Sequence, residues 1–397
     1  MKSIERPRTV KPKTPRVCII RRAYYPAETH VRRNIEALMQ AGYSVDLVCL
    51  RKQGEPAFEV IGGARVHRLP LQTRRAGIMM YLVEYLAFFF LALGEVTWLH
   101  CRRPFAIVEA DSMPDFLIFA GLVPRLTGSK LILYLFENMP EVWAQKKNLP
   151  MTHWGIRALG WQERVSCSFA HRVIATHDMA RDAFAALGVP ASKIATVLNV
   201  PDESVFHRYE GVGPLADGVF RLTQHGTITE LYGIQVVIEA LSLLNPAIKV
   251  HYDVIGDGEY RPTLEALARR LNMQDRVTFH GYLAPEPLVK MLQQSAAGVV
   301  PMLVEYMSPN KMFELVALGI PVIASDRRTF QQHFGQTEIV YFRTGDAKDL
   351  AKVIENAIRH PEDLQARSRR ASERYEEYRW ANMQKKYLAV YQELEPV

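Results

Sequence analysis

The 397-residue chain has only four cysteines, Cys18, Cys49, Cys101 and Cys167, widely spaced and never in a CxxC pair. That scarcity excludes a disulfide framework and makes reduced thiols of an intracellular protein the expectation. No apolar core with a small-residue cleavage site follows the charged N-terminus, so no secretory leader is read. The expected location is cytoplasmic, at or near the inner membrane face. Glycine and proline, 23 of each, are too few for a collagenous or wholly disordered chain. Charge of one sign is also nearly missing from the body. The net charge is +7, but residues 1–16 hold Lys2, Arg6, Arg8, Lys11, Lys13 and Arg16 against Glu5 alone, which leaves +2 for the rest. This argues against a nucleic-acid partner across the folded surface. The arm, residues 1–16, reads as disordered, either a solubilising tail or a contact for phosphates or anionic lipid.

An uninterrupted apolar run of spanning length is absent too. Residues 77–101 look like a membrane segment between basic pairs, Arg74 and Arg75 before it and Arg102 and Arg103 after it. Glu84 and Glu95 break it, and a spanning helix wants about 20 predominantly apolar residues. Either a core helix with basic flanks or one lying in a headgroup region is expected, the latter against an anionic membrane surface.

What the chain does have is alternation. Short Val- and Ile-rich runs at residues 17–20, 45–50, 106–110, 130–135, 172–176 and 194–198 are separated by helical periodicity, and the pattern restarts at 221–225, 250–255, 277–279, 298–301, 321–324 and 339–342. That is the pattern of parallel βαβ units. The stretch GVGPLADG, residues 211–218, separates the halves as a linker. The expected fold class is α/β: two Rossmann-like, doubly wound parallel-sheet domains, residues 17–210 and 219–376, facing a cleft where ligands bind in such folds.

The most informative stretch is EYMSPNKMFELVALGIPVIASD, residues 305–326. Pro309 opens a helix at about Asn310 with Lys311 and Glu314 three apart on one face. A lysine at a helix N-terminus suits a diphosphate, and a carboxylate one turn inside can accept both hydroxyls of a ribose. Taken alone, such a pair is also the pattern of a solvated surface. In the first half Glu137 and Asp111 follow strands and should point at the cleft, Glu137 as acceptor-side base or as a helix cap.

The whole string resembles the donor-binding segment of the retaining glycosyltransferases of family 4, whose two-domain arrangement is called GT-B. So do HGTITELYGIQVVIEAL (225–241), VIGDGEYRPTLEALA (254–268) and RVTFHGYL (276–283), together with THVRRNIEALMQAGYSVDLVCL (29–50), DSMPDFLIFAGLVPRLTGSKLILYLFENMPE (111–141) and KIATVLNVPDESVF (193–206) in the first half. The resemblance implies transfer of a hexose or N-acetylhexosamine from a nucleotide sugar to a lipid-linked or polysaccharide acceptor. It implies retention at the anomeric carbon, no metal and no further cofactor. It also implies that the last helix, within residues 377–397, crosses back to the first domain, with Trp380 packed at the crossing.

By the same resemblance Glu314 matches the glutamate that holds the ribose, and Lys311 would face phosphate or sugar. Gly226 and Thr227 match the turn at the diphosphate, and His280 with Gly281 lines the base pocket. Asp257, Tyr306, Ser308 and Asn310 complete the expected donor set. The pattern departs at Tyr306, where the family usually has its first glutamate, so Glu305 is the candidate beside it. It departs again at Thr227 and Tyr232, in place of an arginine and a lysine, and at Phe136, in place of a histidine. Arg32 and Arg33 are the candidates for replacement phosphate charge, or are simply a solvated helix face. The competing functions are a non-catalytic partner subunit of this fold and a nucleotide-sugar epimerase.

Overall fold

The computed structural model describes residues 14–72, 77–147, 149–209, 217–305 and 309–395. The basic arm up to residue 13, Arg74, Arg75, Tyr306, Ser308 and most of the linker lie outside them. The first domain starts with β1 (Arg16–Tyr24), α1 (Thr29–Gln40), β2 (Ser44–Leu50), β3 (Phe58–Ile61), β4 (Ala64–Leu69), α2 (Gly77–Arg102) and β5 (Ile107–Asp111). It goes on with α3 (Leu122–Leu126), β6 (Lys130–Leu135), α4 (Met139–Lys146), α5 (Trp154–Phe169), β7 (Arg172–Ala175), α6 (Asp178–Ala186) and β8 (Ile194–Thr196).

Its sheet runs β3-β4-β2-β1-β5-β6-β7-β8, parallel except where β3 pairs antiparallel with β4. Residues 17–20 of β1 and 131–135 of β6 read as unbroken apolar runs because helices cover both faces. One face packs on α2, where Phe88, Ala92 and Val96 meet Cys18, Ile20 and Val48. The other carries Ile19 and Leu47 against Val31, Ile35 and Leu38 of α1.

The second domain holds β9 (Phe220–His225), α7 (Ile234–Leu243), β10 (Val250–Ile255), α8 (Arg261–Arg270), β11 (Val277–Gly281), α9 (Pro285–Gln293) and β12 (Ala297–Val300). After these come α10 (Asn310–Ala317), β13 (Val322–Ser325), α11 (Arg328–Gln331), β14 (Val340–Phe342), α12 (Ala347–Arg359), α13 (Pro361–Tyr375) and α14 (Trp380–Gln392). Its six strands run β11-β10-β9-β12-β13-β14, parallel throughout.

Two differences from the sequence reading stand out. β3 and β4 form an edge hairpin that the apolar-run criterion passed over, and the last first-domain strand stops at Thr196, two residues early. α14 does cross back to the first domain. There the hydroxyls of Tyr387 and Tyr391 donate to the buried carboxylate of Glu109 at 3.0 and 2.9 Å. Trp380 lies at the crossing, with the Arg33 guanidinium 4.2 Å from its ring centre.

Candidate active site

A cavity of about 340 Å³ lies between the domains, walled by residues that follow the C-terminal ends of strands in both sheets. From the first domain come Thr29, His30 and Arg33 at the start of α1 and Asn199, Pro201 and Asp202 after β8. The second domain adds Tyr282 and Leu283 after β11, and Asn310 and Glu314 on α10. α10 can present that polar edge because Met312, Phe313, Leu315 and Val316 fill its other face.

Glu314 is the focus of the wall. Its carboxylate accepts a hydrogen bond from His225 Nε2 at 2.5 Å and lies 3.2 Å from Lys311 Nζ. Burial works against its ionisation, but the Lys311 charge and the His225 bond outweigh it and hold the carboxyl below its ordinary value. Burial also lowers His225, against the pull of Glu314, so the ring stays neutral; among the described residues its Nδ1 meets no hydrogen-bond partner. Lys311 crosses directly over Gly226, where a Cβ would come within 2.8 Å of its Cε. Gly226 sits at φ +119, and a Cβ on Gly256 would come within 1.9 Å of the Gly226 oxygen. Two glycine turns and one lysine stem are thereby packed into a close-set backbone cradle.

Opposite stands His30. Its ring packs on Phe136 with centroids 4.5 Å apart, and its Nε2 lies 3.2 Å from Glu28, which Arg21 holds at 2.9 Å. Burial, with the charges of Arg21 and Arg33, pushes this imidazole down to about 3, so it is neutral. Phe136 occupies the position where a histidine was expected, and an imidazole from another element rests on its ring.

Other expected residues fall elsewhere. Asp111 is enclosed against Glu109 at 1% exposure, where burial pushes it up to about 7, so it does not open to the cleft. Its charged neighbours are Glu109, Arg21 and Glu28. Arg33 is buried, donating to Val200 O at 2.5 Å and to Asn199 Oδ1 at 3.3 Å, so its guanidinium holds the cavity wall together. Arg32 pairs with Asp202 at 3.0 Å. Glu305 accepts from Thr329 N at 3.2 Å and pairs with Arg327 at 3.5 Å, turned toward α11. His280 is bonded to Asp253 at 2.6 Å, while Asp257 is exposed and accepts from Gly258 N within its turn. Thr227 is exposed at the rim beside Gly226. Glu137 is half-buried ahead of α4, and with Glu314 it raises Tyr232, whose own burial is the larger cause.

The sequence reading gave no site role to His30, His225, Asn199 or Tyr282. His225 had a signal: it is the last residue of a strand, next to the turn already singled out.

Two facing Rossmann-like domains with a helix-borne carboxylate between them define the GT-B class of protein. Residues 220–360 match the family model described as "Glycosyl transferases group 1", and residues 27–199 match that described as "Glycosyl transferase 4-like domain". The chain belongs to this family of glycosyl transferases. No curated protein sequence matches it. Among solved structures, sucrose-phosphate synthase from Thermosynechococcus elongatus superposes with a TM-score of 0.76 at 18% identity, covering 96% of this chain and 99% of that one. Anabaena HepE in complex with UDP gives 0.72 at 13% identity, covering 96% and 100%. A trehalose-6-phosphate structure from E. coli, bound with UDP-2-fluoro glucose, gives 0.72 at 12% identity over 96% and 99%.

Proposed function

We propose that the protein transfers a hexose or N-acetylhexosamine from a nucleotide sugar to a lipid-linked or polysaccharide acceptor, with retention at the anomeric carbon. The observation that carries the reading is Glu314: an ionised, half-buried carboxylate one turn inside α10 that faces the interdomain cavity beside Lys311. UDP and UDP-glucose complexes of the structural neighbour HepE support a nucleotide-sugar donor. In this reading Glu314 holds the ribose hydroxyls, with Asn310 beside it. Lys311, the cradle of Gly226 and Thr227 and the N-terminus of α10 take the diphosphate, whose departing charge needs fixed cationic support. Tyr282 and Leu283 offer an apolar shelf to the base, in place of the turned-away His280. Glu137 and His30 line the acceptor side. The chemistry proposed uses no metal and no cofactor besides the donor.

One observation favours a second reading, a donor-binding partner subunit with little turnover. Thr227 and Tyr232 bring no charge to the diphosphate, which leaves Lys311 to meet it.

Thermal shift with UDP, GDP and ADP, followed by the matching nucleotide sugar with membrane extract, tests both. Stabilisation by one nucleotide with sugar transfer supports the enzyme, and NMR of the product assigns the anomer. Stabilisation without transfer supports the partner subunit. Conversion of the free donor without acceptor means an epimerase, and no stabilisation by any nucleotide removes the donor site.

A further inference from the structure

α2 is apolar on both sides. Inward, Phe88, Ala92 and Val96 are fully buried in the first-domain core. Outward, Leu82, Leu86, Phe90 and Trp98 are 52%, 50%, 63% and 47% exposed. These four fall at steps of four or eight residues and so form one stripe along the helix. A helix apolar all round belongs in a core or in lipid, and here only half its circumference is covered. Residues 82–102 are long and apolar enough to cross a membrane. Crossing, however, would strip the core of the inward face, so the helix must lie along a surface instead.

Both acids of α2 are withdrawn from the stripe. Glu84 is buried and paired with Arg22 at 2.6 Å, and Glu95 lies 3.4 Å from His67. The carboxylates that argue against a spanning segment are thus satisfied on the protein side. The outward stripe carries no charge between Leu82 and Trp98.

Beside the C-terminal half of α2, a groove of about 690 Å³ opens toward the β3–β4 hairpin. Arg51, Arg102 and Arg103 line it, and no described carboxylate pairs with any of the three. Phe58 and Trp98 rim it, and the Arg102 guanidinium lies 3.6 Å from the Trp98 ring centre. The other arginines there already have carboxylate partners: Arg16 and Arg65 share Asp46, while Arg68 pairs with Glu55 and Glu59. Apolar side chains with an arginine cluster at one end are complementary to a bilayer interface carrying anionic headgroups.

We infer that α2 is an interfacial membrane anchor: its outward stripe enters the headgroup boundary of an anionic bilayer, and the groove at its C-terminal end takes lipid phosphates. β1 leads into the wall of the interdomain cavity, and its Arg22 reaches the N-terminal half of α2. Bound this way, the helix would bring the cleft to the membrane surface. The inference holds whatever reaction the cleft performs.

The test is sedimentation of the full chain with phosphatidylcholine vesicles, with and without phosphatidylglycerol. Leu86→Ser with Phe90→Ser should weaken partition to the anionic vesicles on the order of thirtyfold. Arg102→Gln with Arg103→Gln should weaken it by roughly thirtyfold as well, with a shallower salt dependence. Tryptophan fluorescence should shift to the blue when anionic vesicles are added, and the shift should shrink in Trp98→Phe. Because the changed side chains are exposed, melting temperature and nucleotide binding should stay as in the parent, which separates this result from a failure of the cleft reading. Partition of the Leu86/Phe90 variant equal to that of the parent would overturn the inference. So would concentration-dependent dimers that Phe90→Ser abolishes while vesicles leave the protein in solution.

Discussion

Replacing Glu314 by glutamine changes one charge and almost no volume, so its effects on affinity and on folding can be separated. In the structure the carboxylate accepts from His225 Nε2 at 2.5 Å and is met by Lys311 Nζ at 3.2 Å. Glutamine keeps an oxygen for His225 and loses the pair with Lys311. Lys311 is 31% exposed, so that loss should cost folding about 1 kcal/mol or less. A ribose diol donating to an ionised carboxylate makes two charge-assisted bonds, each worth about 1.5–3 kcal/mol against roughly 1 for a neutral acceptor. Replacing two such bonds by one neutral one should cost about 2 kcal/mol or more, a dissociation constant for UDP weaker by about thirtyfold. The pH profile follows from the sign of the shift. Because Glu314 is held below its ordinary value, the ratio of parent to Glu314→Gln affinity, in which the titration of the UDP phosphate cancels, should be flat from neutral pH through pH 5 and fall only below the usual glutamate range. Isothermal titration with UDP at fixed salt measures both. An unchanged Kd in Glu314→Gln, with the parent binding UDP, would refute the ribose assignment.

Three further outcomes follow from buried groups. Asp115 is 1% exposed, its carboxyl oxygens meet no hydrogen-bond partner among the described residues, and burial raises it to about 7. Ionising it in the folded state therefore costs stability above its ordinary range. Asp115→Asn should be more stable than the parent at pH 8, by up to about 4 kcal/mol, and the gap should close as pH falls to 4 in urea unfolding. Tyr391→Phe removes the 2.9 Å bond to Glu109 while Tyr387 keeps its own, so it should cost about 1–3 kcal/mol and speed hydrogen exchange in α14. His177 and His333, one from each domain, are buried and held down to about 4, mainly by burial, so both are neutral in the folded protein. The stability this allows is present above their ordinary value and is lost as pH falls from about 6.5 toward 4. His177→Asn, which keeps an acceptor for Ala180 N, combined with His333→Phe should flatten that fall by up to about 3 kcal/mol per imidazole.

Most strands were legible because fully buried parallel strands show as unbroken apolar runs, which located six strands in each half. The edge hairpin was not. β3 is exposed on Phe58, Glu59 and Val60, and β4 mixes Arg65, His67 and Arg68 with its valine, so neither is an apolar run. The signal that was present is the Gly62–Gly63 pair, at φ +57 and +95, which joins two short strands as a hairpin turn. In the site, Lys311 and Glu314 were legible because their relation is local, three residues on one helix. Arg33, Asp111 and His30 depend on distant partners. Arg33 is taken up by residues 199–201 and by Trp380, Asp111 is sealed in beside Glu109, and His30 is placed by Phe136. No pattern within one segment reveals which distant element will cover a given side chain.

The charge arrangement of the cleft follows from the same burial. His30 lines the interdomain cavity and His225 backs Glu314 from within the second domain, and burial is the largest cause that keeps each uncharged. Arg33 is committed to carbonyl oxygens and Arg32 to Asp202. Lys311 is thus left as the cation aimed at the cradle of Gly226, with the N-terminus of α10 beside it. A diphosphate held there would replace Glu314 as the nearest anion to Lys311, while the ribose hydroxyls would take up the acceptor capacity that Lys311 gave up. Ligand entry would therefore exchange one ion pair for another instead of creating charge in a buried space, which is the cheaper way to seat a dianion where burial penalises every unpaired ion.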